Sequence, residues 1–265
     1  MEYKNIILEK QNHVVTLTFN RPEKMNTISM DMRDEIFSAL NEINEDDDAR
    51  VMILTGAGER AFCAGVDVGV MSARIAGQVD DSSRKKITLR AGFHVQRVRE
   101  IRVPTIAAVN GAAAGMGLSF ITACDIRIGS DNSKYSCAWI NRGLVPDGGA
   151  THLLPQIVGI EKALELFYTG EVIDSAEALR IGLVSRLVPQ ADLMRVVREL
   201  ADRIAAGPPI AQELAKHGVY KGLLWDFKTA LDFENYAIKV CAGTEDFKEG
   251  VKAFVEKRKP EFRGR

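Results

Sequence analysis

The sequence predicts an α/β fold: a spiral core of short buried strands alternating with helices, then a helical C-terminal region. Three observations carry this expectation. Apolar runs rich in β-branched residues, Val14–Phe19, Val51–Gly56 and Pro104–Val109, read as strands. Segments of helical periodicity separate them, and glycine-bearing turns follow two of them.

In chain order, Val14–Phe19 runs into the turn residues Asn20-Arg21-Pro22. Ser29 suits the N-cap of a helix on which Met32, Ile36, Leu40 and Ile43 share one face, until the acidic run from Glu45 to Asp48 meets water. Val51–Gly56 then reads as a buried strand, so that strand, helix and strand form a βαβ unit. The polar segment from Ser72 to Arg90, with Gly77 and Asp80 to Ser83 near its centre, reads as a loop between helical pieces, either a lid or a plain surface excursion. The pattern repeats with a strand over Pro104–Val109, a turn, a short helix from about Gly115 to Ala123 and a strand over Asp125–Gly129. Beyond Ile160 helices dominate: Leu193, Val197, Leu200 and Ile204 line one helical face, Gly207-Pro208-Pro209 punctuates, and helices continue to about Glu256. Residues 1–200 are therefore assigned to the core. Residues 201–265 form a helical region with too little apolar face to stand alone, which implies packing on the core or on a neighbouring subunit.

Composition narrows the function classes. A chain of 265 residues, 46% of them hydrophobic, buries a substantial core. A formal net charge of −1 argues against general affinity for nucleic acid, and the run Lys257-Arg258-Lys259 reads either as a solvated helix end or as a local phosphate contact. Cys63, Cys124, Cys137 and Cys241 show neither metal-like pairing nor a disulfide framework, which fits a reducing, cytoplasmic setting with no metal. The N-terminus is polar, and the most apolar stretch, Val103 to Cys124, is interrupted by Pro104, Asn110, Gly111, Gly115 and Gly117, so neither a signal peptide nor a membrane span is expected.

Two turns stand out, Phe62 to Asp67 (Phe-Cys-Ala-Gly-Val-Asp) and Asn110 to Gly117 (Asn-Gly-Ala-Ala-Ala-Gly-Met-Gly). Small residues allow close backbone approach to a ligand, and amides at a turn or helix start lack an intrahelical partner. Two such amides aimed at one point would stabilise negative charge on a carbonyl oxygen, as an oxyanion hole does.

These turns, together with Asn20-Arg21-Pro22, Met25-Asn26, Ala123-Cys124-Asp125, the Gly143 to Gly149 stretch (Gly-Leu-Val-Pro-Asp-Gly-Gly) and Gly182-Leu183-Val184 ahead of Val188, occur in an order that resembles the crotonase (enoyl-CoA hydratase/isomerase) superfamily over nearly the whole chain. The resemblance implies a crotonase-like spiral of repeated ββα units and an acyl-CoA thioester substrate. Its carbonyl oxygen would accept from the N–H groups of Val66 and Met116, with Gly65, Asp67 and Gly117 lining the same turns. Ala64 would meet the adenine end, and Arg60 would reach the CoA phosphates or simply sit exposed on its turn. Gly69 stands where many relatives carry a second lysine. The resemblance further implies a homotrimer or a dimer of trimers and no cofactor beyond the coenzyme A carried by the substrate.

The chain departs from the hydratases of that family where they carry two glutamates: it has Ser119 and Trp139. Neither side chain can act as a carboxylate base, so the two-glutamate mechanism does not transfer. Asp147, at the position where several isomerases of the superfamily carry an acid/base aspartate, becomes the leading catalytic candidate, with a helix cap as its simpler account. The expected reaction is migration of a double bond in an unsaturated acyl-CoA, with Trp139 lining the acyl pocket. Ranked below it are hydration of an unusual or cyclic enoyl-CoA, then dehalogenation like that of 4-chlorobenzoyl-CoA dehalogenase, which the Trp139 and Asp147 pair also resembles. In that reading Gly92 takes the place of an assisting histidine, while His94 points to another helix face. A non-catalytic oligomer that binds acyl-CoA or RNA is the reading of a different class. His13, His152 and His217 show no partner spacing, and Ser119 lacks a nucleophile elbow.

Overall fold

The computed structural model describes residues 3–77 and 93–265. The chain opens with a hairpin, β1 (Ile6–Gln11) and β2 (Val14–Phe19), turned through Asn12 and His13, both at positive φ as a two-residue hairpin turn requires. Helix α1 (Met30–Glu45) follows; the Ser29 hydroxyl caps it by accepting from the Met32 N–H at 3.2 Å, and Met32, Ile36, Leu40 and Ile43 are buried as their spacing predicts. Then come β3 (Val51–Gly56), β4 (Ala61–Cys63), α2 (Val68–Ile75), α3 (Phe93–Glu100), β5 (Thr105–Val109), β6 (Ala112–Ala114) and α4 (Met116–Ala123). The core continues through β7 (Ile126–Ser130), β8 (Lys134–Ser136), α5 (Ala150–Val158), α6 (Ile160–Thr169), β9 (Val172–Asp174), α7 (Ser175–Arg180), β10 (Arg186–Val188) and α8 (Leu193–Ala205).

Two sheets organise these elements. One has the order β1-β2-β3-β5-β7-β10, the other β4-β6-β8-β9. Apart from the β1–β2 and β8–β9 pairs, neighbours run parallel. The chain lays one strand in the first sheet and the next in the second, then returns through helix, which is the repeated ββα spiral. β3 shows the two-sided burial of such a strand: Met52 and Leu54 face the main core, while Val51 and Ile53 face Val197, Leu200 and Ala201 of α8. Each fully buried aliphatic side chain of this kind contributes about 1.5–3 kcal/mol.

Two expectations need refinement. The Asn110–Gly117 turn contains a strand, β6, whose three alanines offer no side-chain alternation to read. The boundary expected at 200/201 falls inside α8, because Ala201 and Ala205 pack on the first sheet; the change of character comes at Gly207-Pro208. Of the stretch read as a loop from Ser72 to Arg90, either a lid or a surface excursion, Ser72 to Ile75 instead complete α2, and residues 78–90 lie outside the described residues.

The C-terminal region adds α9 (Pro209–Gly222), α10 (Phe227–Ala242) and α11 (Glu245–Glu256). Neither α9 nor α10 buries a residue. α9 is moored to the core through Lys216, whose Nζ lies 3.0 Å from Asp125 Oδ2 and donates to the Val103 carbonyl at 2.9 Å, and through Tyr220, whose hydroxyl donates to Asp125 Oδ1. Among the described residues no helix is long and apolar enough to cross a membrane.

Candidate active site

The first glycine turn leaves β4 and the second leaves β6, strands that pair side by side, so the turns meet. A Cβ on Gly65 would stand 3.2 Å from the Ala114 carbonyl oxygen and 3.9 Å from the Met116 nitrogen; Gly65 has φ +105, open only to glycine. Gly117 lies closer still, its imaginary Cβ 2.0 Å from the Cys63 oxygen. Close packing of glycine against backbone thus sets the residue before Val66 against the backbone that leads to Met116.

Peptide planarity then aims them. The Val66 N–H shares a trans peptide with the Gly65 carbonyl, so the two groups point in opposite directions. The Gly65 oxygen accepts from the Ile28 N–H at 2.8 Å, which turns the Val66 N–H away from Ile28. The Met116 N–H shares its peptide with the Gly115 carbonyl, which accepts the first helical bond, from Ser119 N at 3.1 Å. Among the described residues neither Val66 N–H nor Met116 N–H has a hydrogen-bond partner, and the latter heads α4, where the helix dipole adds positive potential.

Buried asparagines hold this backbone. Asn26, at 0% exposure and φ +54, donates to the Ala57 and Ala61 carbonyls at 3.0 and 2.8 Å and accepts from the Arg21 N–H at 2.9 Å. Asn110 donates to Gly56 and Gly58 at 2.7 and 2.6 Å and accepts from the Gly56 N–H. Sequence reasoning gave neither a structural role. For Asn26 the usable signal is an asparagine that tolerates left-handed backbone.

The wall beside the hole carries Asp147. Its half-buried side chain accepts from Trp139 Nε1–H through Oδ1 at 2.9 Å. Trp139, 6% exposed, lies 4.0 Å from where a Cβ on Gly115 would be, so the indole stands against the residue preceding the Met116 amide. The Asp147 main-chain carbonyl accepts from Ser119 Oγ at 2.9 Å, tying the loop to the first turns of α4. A Cβ on Gly148 would meet Ser119 Cβ at 2.9 Å and Met116 Sδ at 3.2 Å, so loop and helix interlock tightly there. The N-cap of α5 is Gly149, and the Asp147 carbonyl accepts from the Ala150 N–H at 3.1 Å, so Asp147 also sits at the start of that helix.

The remaining expected residues are placed as follows. Ala64, half-buried, donates its N–H to Met25 at 3.0 Å. Asp67 turns its carboxylate to Arg21 Nη2 at 2.9 Å and the Gly69 N–H at 2.8 Å; burial alone would raise its pKa, but these two donors outweigh burial and hold it below the ordinary value. Arg60 is exposed, and what the neighbouring turn uses is its carbonyl, which accepts from Ala112 N at 3.1 Å. Gly92 lies outside the described residues. His94 is buried against Phe120, ring centroids 5.2 Å apart, and burial, with the nearby Arg33, pushes its pKa down to about 4. Cys63 beside the hole is inert, its thiol pushed up to about 12 by burial.

The chain is similar in sequence and fold to known proteins. The sequence model described as enoyl-CoA hydratase/isomerase matches residues 9–265. A short-chain-enoyl-CoA hydratase of Clostridium acetobutylicum is 38% identical, over 98% of each chain. A 1,2-epoxyphenylacetyl-CoA isomerase of Escherichia coli is 32% identical, again over 98% of each. The crystal structure of an enoyl-CoA hydratase from Bacillus anthracis superposes with a TM-score of 0.91 at 36% identity, covering 99% of this chain and 100% of that one. With the spiral of paired sheets, two converging glycine turns and a match along almost its full length, the chain belongs to the enoyl-CoA hydratase/isomerase family.

Proposed function

We propose that the protein shifts a double bond in an unsaturated acyl-CoA. The thioester carbonyl oxygen accepts from the Val66 and Met116 N–H groups, which acidifies the carbon next to the carbonyl. Asp147 removes a proton from that carbon, the electrons spread into a dienolate, and Asp147 returns the proton two carbons further along. No electron leaves the substrate, so the proposal includes no redox cofactor and no metal. One observation carries this reading: where the family's hydratases place a second carboxylate the chain has Trp139, and its indole N–H holds Asp147 Oδ1 at 2.9 Å beside the glycine turns.

Water addition is the second reading, favoured by the hydratase name of the 38% identical relative. Incubation with straight-chain and cyclic enoyl-CoA thioesters in heavy water separates the two. A shifted double bond without gain of water supports isomerisation, with deuterium entering only as far as the proton on Asp147 exchanges with solvent before its return. In Asp147→Ala, turnover should fall by about 10²–10⁴-fold; turnover like that of the parent excludes the role given to Asp147.

We further propose a cytoplasmic homotrimer or dimer of trimers. Supporting it, α9 and α10 bury no residue, and Leu224 and Phe227 are 72% and 80% exposed, an apolar face that a neighbouring copy would cover.

A further inference from the structure

The two amides of the hole are aimed by different means. Met116 N–H is fixed by its own helix, but Val66 N–H depends on a brace between separate segments. Ile28 grips the chain on both sides of Val66: its N–H donates to the Gly65 oxygen at 2.8 Å and its carbonyl accepts from the Asp67 N–H at 3.0 Å. Two hydrogen bonds next to a glycine at φ +105 leave the brace free to pivot, since glycine resists rotation least.

One side chain spans the brace. Arg21 donates through Nη1 to the Thr27 carbonyl at 2.7 Å and through Nη2 to Asp67 Oδ2 at 2.9 Å, so a single planar guanidinium links the residue before Ile28 to the residue after Val66. Asp67 uses its other oxygen on the Gly69 N–H at 2.8 Å. Arg21 is itself pinned, its backbone exchanging hydrogen bonds with Asn26. Both side chains are largely enclosed, 15% and 20% exposed, so water competes weakly for the pair.

We infer that Arg21 and Asp67 are positioning residues that hold the Val66 N–H on the thioester oxygen. The inference rests on reading Val66 as an oxyanion donor, and it does not depend on whether the bound acyl group is isomerised or hydrated. It assigns the Asp67 carboxylate to the backbone of the hole and leaves CoA contact in this turn to main-chain groups.

The test uses Asp67→Asn, Arg21→Met and the double variant in the full-length chain. Displacing a catalytic group by about 1 Å costs on the order of 10²-fold, so kcat should fall roughly 30- to 100-fold while KM changes little. The double variant should be no slower than the worse single one, since both break one brace. A purely structural ion pair would not alter carbonyl polarisation. Bound cinnamoyl-CoA, a chromophoric enoyl thioester, should show a red-shifted absorbance on the parent protein and a smaller shift on both single variants. Variants that keep the full shift and kcat overturn the inference while leaving the hole intact. A parent that gives no shift overturns the reading of the hole itself, and the inference with it. Should Asp67→Asn fail to fold, Arg21→Lys carries the same test, because an ammonium cannot bridge both acceptors as the planar fork does.

Discussion

Gly117→Ala tests whether backbone packing sets the geometry of the hole. An alanine methyl there would lie 2.0 Å from the Cys63 oxygen, 2.9 Å from its carbonyl carbon and 3.0 Å from its Cβ, where ordinary contact starts at 3.4 Å. Raising 2.0 to 3.4 Å parts α4 from β4 by about 1.4 Å, because a packed backbone has no other way to give. α4 begins with the Met116 donor and β4 leads to the Val66 donor, so the two separate by a similar distance. A hydrogen bond of ordinary length stretched that far is lost. Losing one donor costs roughly 10²–10³ in kcat, about 3–4 kcal/mol of transition-state stabilisation. The assay is steady-state turnover of the enoyl-CoA substrate found in the heavy-water screen, with Gly222→Ala as control, since a methyl there meets nothing within 4 Å. A folded Gly117→Ala variant with kcat within about threefold of the parent would refute the reasoning from glycine packing to donor geometry.

Two further perturbations address the acid/base group and the core. Trp139→Phe keeps a ring against Gly115 but removes the donor to Asp147 Oδ1; a donor to a carboxylate favours its charged form, so the acid limb of the pH–rate profile should move to higher pH and kcat/KM should fall by about tenfold or more. An unmoved acid limb argues against Asp147 as the titrating group. His94, 4% exposed, has a pKa pushed from 6.5 to about 4, so as pH drops through that window the unfolded chain takes up a proton that the folded one refuses. Stability should decline by about 3 kcal/mol between those values, with no contribution above pH 6.5, and His94→Leu should flatten the decline in denaturant melts at pH 7 and pH 4.5.

Much of the core was legible in the sequence because strands buried on both faces, such as β3, announce themselves as unbroken apolar runs, and α1 and α8 carry long one-sided stripes. β1 was not, since only Ile6 of its six residues is buried and an exposed edge strand needs no alternation. β6 and β8 escaped because three residues are too few to show a period. At the site, the glycine turns could be read from their residues and Asp147 was singled out only by the family resemblance, whereas the grip of Trp139 on Asp147 depends on a loop path between them that propensity does not encode. Asn26 and Asn110 were hidden for another reason, since their partners are main-chain atoms, which carry no sequence signature; Arg21 and Asp67 were hidden because they pair across 46 positions of sequence.

In the proposed reaction, the acid and the hole come from different parts of the chain. The amides come from segments held by strand pairing and buried asparagines, while Trp139 and Asp147 sit on a separate loop whose Gly143, Gly148 and Gly149 adopt positive φ and which Ser119 ties to α4. Grip and reactivity are thus modular. A lineage can exchange the residues of this loop, and with them what becomes of the activated thioester, without rebuilding the cradle that activates it.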